Sequence, residues 1–260
     1  MVGPLHLSVA EPPAGAPAAR PNVLCLHGLF AAGWVFDELL PLLAARGHPA
    51  AALSFRGHAP SAPVGALGAV SIADYVADAT TVAATMDRPV VVGHSLGGLV
   101  ALLLARAGLV RAALLVAPAP PRWISVLSPQ LLARMGRYLP ALLLSRAFRP
   151  RDDDLDALVL NRVPANERPA LRARLVPDSG RAAREAALGV FDAPRGSIDV
   201  PMLFVGGDDD RFIPIGVTTK VAKRFGAPLV VGRGHGHFLF AEPRREAVIG
   251  EMLAWLGGVT

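Results

Sequence analysis

The stretch Pro89-Val90-Val91-Val92-Gly93-His94-Ser95-Leu96-Gly97-Gly98-Leu99-Val100 limits what this chain can fold into more than any other. A β-branched run that reads as a buried strand passes through Gly93 to Gly97 into an apolar helix, the strand-turn-helix setting of a G-x-S-x-G turn. A serine at the tip of so sharp a turn is pressed into strained dihedrals, and neighbours without side chains let strand and helix pass closely. The pentapeptide alone is a weak signal, and its setting makes it specific. Ser95 is the first candidate nucleophile.

The surrounding chain repeats the same rhythm. Leu5–Val9 alternates as a short strand, Pro12–Pro21 is a Pro/Ala-rich loop, and Asn22–Leu26 is a buried strand ending at His27-Gly28-Leu29-Phe30. Trp34–Ala45 has helical spacing and stops at Gly47, and Ala50–Phe55 is a second buried strand closed by Arg56-Gly57-His58. Ser71 with Asp74 forms a capping box for a helix to Met86; the helix after Ser95 runs to Ala107, and Arg111–Val116 is a further strand. Strands alternating with helices predict right-handed crossovers and a mainly parallel sheet.

From Pro118 the rhythm breaks. Residues 119–199 carry no convincing strand but four helical segments, Pro129–Phe148, Asp153–Asn161, Ala165–Leu175 and Ser179–Val190, so they are expected to form an inserted helical cap. The rhythm resumes at Pro201-Met202-Leu203-Phe204-Val205-Gly206-Gly207, then a helix over Ile215–Phe225, a strand over Pro228–Val231 and a final helix to Leu256. The expected body is thus 1–118 with 200–260, and the cap is 119–199.

Bulk properties exclude several classes. Hydrophobic residues make up 52% of 260, yet no apolar run reaches the ~18 residues of a membrane span, so no membrane partner is expected. The net charge of +5 is spread over isolated arginines without a basic block, which argues against nucleic acid. A single cysteine, Cys25, excludes an internal disulfide and a cysteine-based zinc site, and its apolar surroundings make it a core thiol. The start has no basic region followed by an apolar stretch, so the cytoplasm is the expected compartment. Nothing in the pattern fixes an oligomeric state.

A serine hydroxyl needs a base in hydrogen-bond reach and a third group to fix that base's tautomer. Both types follow strands after the insertion: Asp208, Asp209 or Asp210, then His235 or His237. Loops after parallel strands are where such sheets place their crevices.

With His27-Gly28, Arg56-Gly57-His58, Gly93-His94-Ser95-Leu96-Gly97-Gly98, Gly207-Asp208-Asp209-Asp210-Arg211-Phe212-Ile213-Pro214 and Gly236-His237-Phe238 in this order, the chain resembles the α/β-hydrolase superfamily, in particular small bacterial hydrolases with a helical cap. The resemblance implies an α/β fold, a mainly parallel sheet of seven or eight strands with helices on both faces, and a cap after strand 6. The chain offers one N-terminal strand where relatives often have two. The family frame G-x-x-D-x-x-x-P selects Asp210 against Gly207 and Pro214, leaving Asp208 and Asp209 as turn formers, and the G-H-F context selects His237. His94 is expected to point away from the nucleophile, His27 to order its loop, and His6, His48 and His58 to be surface or loop residues.

The same resemblance implies an oxyanion hole from the backbone N–H groups of Leu96 and Leu29, with Phe30 the alternative to Leu29. Phe30, Trp34 and Trp123 are expected at a substrate pocket, and no metal or cofactor is expected. Ser54 and Ala59 depart from the family pattern at the scaffold or pocket edge. The implied activity is hydrolysis of a small to medium hydrophobic carboxylic ester, a small-molecule substrate, through an acyl-enzyme. The alternatives on the same residues are a lyase or C–C bond hydrolase, with an acidic ligand on cap arginines such as Arg134, Arg137 or Arg146, and a thioesterase or lactonase.

Overall fold

The computed structural model describes residues 1–16, 20–194, 196 and 198–259. Part of the Pro12–Pro21 loop and residues 195 and 197 of the insertion therefore lie outside the described residues.

Nine strands are described: β1 His6–Ala10, β2 Val23–Leu26, β3 Ala50–Ser54, β4 Val90–His94, β5 Ala112–Val116, β6 Ala147–Phe148, β7 Asp178–Ser179, β8 Met202–Gly207 and β9 Leu229–Gly232. Ten helices join them: α1 Leu39–Ala44, α2 Ile72–Ala83, α3 Leu96–Arg106, α4 Pro129–Met135, α5 Leu139–Leu143, α6 Asp152–Leu158, α7 Arg168–Arg174, α8 Gly180–Ala187, α9 Ile215–Phe225 and α10 Arg245–Gly257. Seven strands form one sheet in the order β1-β3-β2-β4-β5-β8-β9; β1 runs antiparallel to β3 and every other pairing in that sheet is parallel.

Successive side chains of a strand point to opposite faces, and the core divides accordingly. Val23, Cys25, Val90 and Val92 pack with α1 and α10 on one face, whereas Leu24, Leu26 and Val91 pack with α2, α3 and α9 on the other. Helices covering both faces explain why the strands read as continuous apolar runs. Cys25 is fully buried, and desolvation pushes its thiol pKa up, consistent with an inert core residue.

The chain passes from β2 to β3 on one side and then crosses back to β4 on the other, so β2 and β4 are neighbours whose onward connections diverge. A crevice opens at such a switch point beyond the carboxyl ends of the strands. The loop after β2 is His27–Phe30 and the residue after β4 is Ser95.

The insertion follows β5, the fifth strand of this chain where the sixth was expected, since the chain has one N-terminal strand before β2. Its single long helix over Pro129–Phe148 is instead α4, one 3₁₀ turn and α5, broken near Gly136 and Pro140, where a glycine loosens the backbone and a proline lacks an amide donor. Trp34–Ala45 is likewise split into a 3₁₀ turn and α1. Contrary to expectation the insertion also contains strand: β6 and β7 pair antiparallel, Phe148 opposite Asp178. The capping box at Ser71 forms as read, with Asp74 N–H donating to Ser71 Oγ at 3.1 Å and Ser71 N–H to Asp74 Oδ2 at 2.8 Å.

Candidate active site

Ser95 sits between β4 and α3 at φ 54°, ψ −119°, a conformation that costs a non-glycine residue free energy. The turn tolerates no bulk nearby. A Cβ on Gly97 would collide with the carbonyl oxygens of Leu26 and His27, and one on Gly28 would lie 2.7 Å from Ser95 Cβ. The loop after β2 is therefore laid directly against the serine.

His237 Nε2 lies 3.1 Å from Ser95 Oγ, and His237 Nδ1 lies 2.8 Å from Asp210 Oδ2. A carboxylate only accepts, so Nδ1 carries the proton and Nε2 is free to accept from the serine hydroxyl. Asp210 is itself oriented: its Oδ1 accepts the Phe212 and Ile213 N–H groups, both at 2.8 Å. All three side chains are buried. His235, the competing base, is turned away and lies 3.2 Å from Glu242 instead.

The neighbouring aspartates do other work. Asp208 accepts the Gly234 N–H at 2.6 Å, and Asp209 lies 3.4 Å from Arg162. His94 Nε2 donates to the His237 carbonyl at 2.9 Å, supporting the histidine loop from below; burial and the nearby His237 lower its pKa to about 3, so it is neutral.

His27 orders its loop as expected. Its Nδ1 donates to the Gly28 carbonyl at 2.7 Å while Nε2 accepts the Phe55 N–H at 3.1 Å. Burial, with the His58 charge nearby, lowers its pKa to about 3.

The two candidates for the second oxyanion donor differ clearly. Phe30 N–H is committed to Asp178 Oδ2 at 2.8 Å, and the Phe30 carbonyl accepts Val176 N–H at 2.8 Å. Phe30 is thus gripped by the insertion at both ends of its peptide, which leaves Leu29 as the loop's candidate. Leu96 opens α3, so its N–H has no carbonyl within the helix to bond.

Asp178 was invisible in the sequence, and so was its partner His58, read there as a surface or loop residue. His58 is buried, with Nδ1 3.1 Å from the Arg56 carbonyl and Nε2 3.0 Å from Asp178 Oδ2. The carboxylate at this distance favours the protonated, charged form of the ring. Burial disfavours that charge, but the Asp178 carboxylate outweighs it and raises the His58 pKa. Asp178 also accepts the Tyr75 hydroxyl at 2.7 Å and the Ser179 N–H at 2.6 Å. Burial alone would raise its pKa; His58 and these donors lower it. His48 is also buried, its Nδ1 2.8 Å from the Pro21 carbonyl.

Glu242 was missed too. Fully buried, it accepts the Gly236 N–H at 2.6 Å and the Phe238 N–H at 3.2 Å, the amides on either side of His237. Desolvation, countered in part by the Gly236 amide and assisted by Asp210, pushes its pKa up to about 7. Proximity to a G-H-F turn was the available signal for it; Asp178 offered none, because its partners are 103 to 148 residues away in sequence.

A cavity of about 280 Å³ lies between body and insertion, with Leu29, Phe30, Ser95 and Leu96 in its wall and otherwise almost wholly apolar lining. A second, of about 20 Å³, shares Leu29, Phe30 and Ser95 and adds His94 and His237. Phe30 faces both as expected. Trp34 and Trp123 face neither: Trp34 packs on Phe238 beneath the Arg174 guanidinium, and Trp123 is 75% exposed beside Arg122. An arginine guanidinium lies over each ring, at 4.3 Å for Trp34 and 4.6 Å for Trp123. Among the described residues no group of three or more His, Cys, Asp or Glu is placed to hold a metal, and no helix is long and apolar enough to cross a membrane.

Comparison with known proteins agrees with the fold. Solved structures similar to this one include a monoacylglycerol lipase from Paleococcus ferrophilus, with TM-score 0.76, 19% identity, and 98% of this chain and 99% of that one covered. A soluble variant of monoglyceride lipase from Saccharomyces cerevisiae is similar at TM-score 0.79 and 17% identity, covering 97% and 91%. A methylesterase from Arabidopsis is similar at TM-score 0.71 and 14% identity, covering 91% and 99%. At such identities these likenesses speak for the fold. The sequence profile of the alpha/beta hydrolase family matches residues 23–250. With nearly the whole body and insertion inside that match, the chain belongs to the alpha/beta hydrolase family and is a hydrolase.

Proposed function

We propose that the protein is a serine hydrolase of apolar carboxylic esters. Ser95 Oγ attacks the ester carbonyl while its proton passes to His237 Nε2, and Asp210 holds the imidazole in the tautomer that accepts it. The carbonyl oxygen, negative in the tetrahedral intermediate, is stabilised by the Leu29 and Leu96 N–H groups. Collapse breaks the bond to the alcohol oxygen, which leaves with the His237 proton. A water then attacks the acyl-enzyme, giving its proton to His237, and Ser95 recovers its own as the acid is released.

The observation that carries this reading is the chain of contacts from Ser95 through His237 to Asp210, opening into an apolar cavity. The lipases and the methylesterase of similar fold support the ester as the bond cleaved. An acidic ligand bound by cap arginines finds less support, because Arg134 and Arg137 both point to the buried Asp154, at 3.4 and 3.6 Å. The test is Ser95→Ala on p-nitrophenyl esters. Loss of at least ~10³-fold in kcat with unchanged thermal unfolding is expected; wild-type turnover by the variant would overturn the proposal.

A further inference from the structure

Resting on that reading, we infer that Ser95 stands between two unequal chambers, so that the preferred substrate pairs an uncharged acyl chain of medium length with a very small alcohol. The acyl chain lies under the insertion and the alcohol lies beside His237.

The direction follows from the chemistry of the leaving group. The departing oxygen must take its proton from His237 Nε2, so the alcohol half must occupy the side on which His237 forms the wall. His237 lines the 20 Å³ chamber and is not in the wall of the 280 Å³ chamber; Leu96, one of the two candidate oxyanion donors, lines only the larger one. With the carbonyl carbon at Ser95, the acyl chain can extend only into the larger chamber.

The sizes then set the substrate class. The larger chamber has about fourteen times the volume of the smaller, which at about 10–15 Å³ per water-sized group takes only one or two heavy atoms. The small chamber is lined by Leu155, Val159, Leu175 and Phe238, with His94 also in its wall. Among the described residues lining the large chamber Arg184 is the one charged side chain, and its Nη1 donates to the Leu142 and Leu143 carbonyls at 2.5 and 3.1 Å. The rest of the lining is almost wholly apolar and favours an uncharged acyl chain. Leu127, Leu132, Leu139, Leu143 and Leu188 both line this chamber and reach solvent, 47 to 69% exposed, giving the chain an apolar mouth.

Two ester series test the assignment on the intact protein. Methyl esters with acyl chains of two to twelve carbons should rise in kcat/KM by at least ~10-fold from acetyl to an optimum near octanoyl. Octanoates with alcohols lengthened from methyl to butyl should fall by a similar factor. Leu155→Ala, or Val159→Ala should the former not fold, should recover butyl octanoate relative to methyl octanoate, and Met135→Trp in the larger chamber should move the acyl optimum to shorter chains. Faster turnover of octyl acetate than of methyl octanoate would reverse the chambers and overturn the inference. So would an absence of length dependence in an enzyme whose Ser95 still reacts with a fluorophosphonate. No hydrolysis of any ester together with an unreactive Ser95 would remove the ester reading itself.

Discussion

Two loops meet at Ser95, and each is held from behind by a buried carboxylate, but the two carboxylates are kept in different states. Behind the loop after β2, Asp178 receives three hydrogen bonds and faces a charged imidazole, and it stays ionised. Behind the loop carrying His237, Glu242 receives two amides, lies 3.2 Å from His235 Nδ1 and near Asp210, and its pKa is pushed up to about 7. The difference lies in what accompanies burial. The His58 pKa is raised beside Asp178, whereas desolvation and the Arg244 charge lower that of His235, and two amides do not offset desolvation of Glu242 beside another acid. The loop after β2 is thus fixed by an ion pair tying insertion to body, and the His237 loop by a group whose pKa is pushed up to about 7.

The sharpest way to break this comparison is Asp178→Ala. It strands the His58 charge in the core and frees Phe30 N–H and Tyr75 OH, so a loss of about 3–5 kcal/mol is expected in urea unfolding. A loss below about 1 kcal/mol would mean that the pair does not hold the loop. At intermediate pH the pair is intact. Its contribution disappears as pH rises through the raised His58 pKa, and again as pH falls through the lowered Asp178 pKa.

Glu242→Gln should act more weakly and with the opposite pH sense to an ordinary carboxylate. The folded state binds the extra proton between the unfolded value near 4.5 and about 7, so wild-type stability falls as pH rises across that window, by up to roughly 3 kcal/mol. The glutamine variant should show a flatter profile in thermal unfolding recorded from pH 4.5 to 8. An unchanged slope would assign the titration elsewhere.

Trp123→Ala, far from either clamp, should move stability by no more than about 0.5 kcal/mol and leave kcat/KM for short esters unchanged. A marked loss would return this residue to the substrate path.

The contrast also explains what was legible in the sequence. Strand runs, the turn at Ser95 and the Ser71–Asp74 box are local patterns whose partners lie within a few residues, and each formed as read. The candidates Ser95, Asp210 and His237 were found because each follows a strand of a parallel sheet, which brings them together whatever lies between. His58 and Asp178 carried no such pattern: a polar residue reads as exposed until the fold brings its partner to it from 120 residues away. Trp34 and Trp123 failed for the reverse reason, since an indole reads as lining until an arginine is found over its ring. In the insertion Gly136 and Pro140 broke a helix read as continuous over Pro129–Phe148, and the two-residue strands β6 and β7 were too short to show alternation.

Ser95, between these two loops, is the proposed nucleophile. Intact-mass spectrometry after treatment with a fluorophosphonate tests this most directly. A single adduct is expected, mapping to Ser95, absent in Ser95→Ala and strongly slowed in His237→Ala. An adduct on another residue, or undiminished labelling of Ser95→Ala, would contradict it.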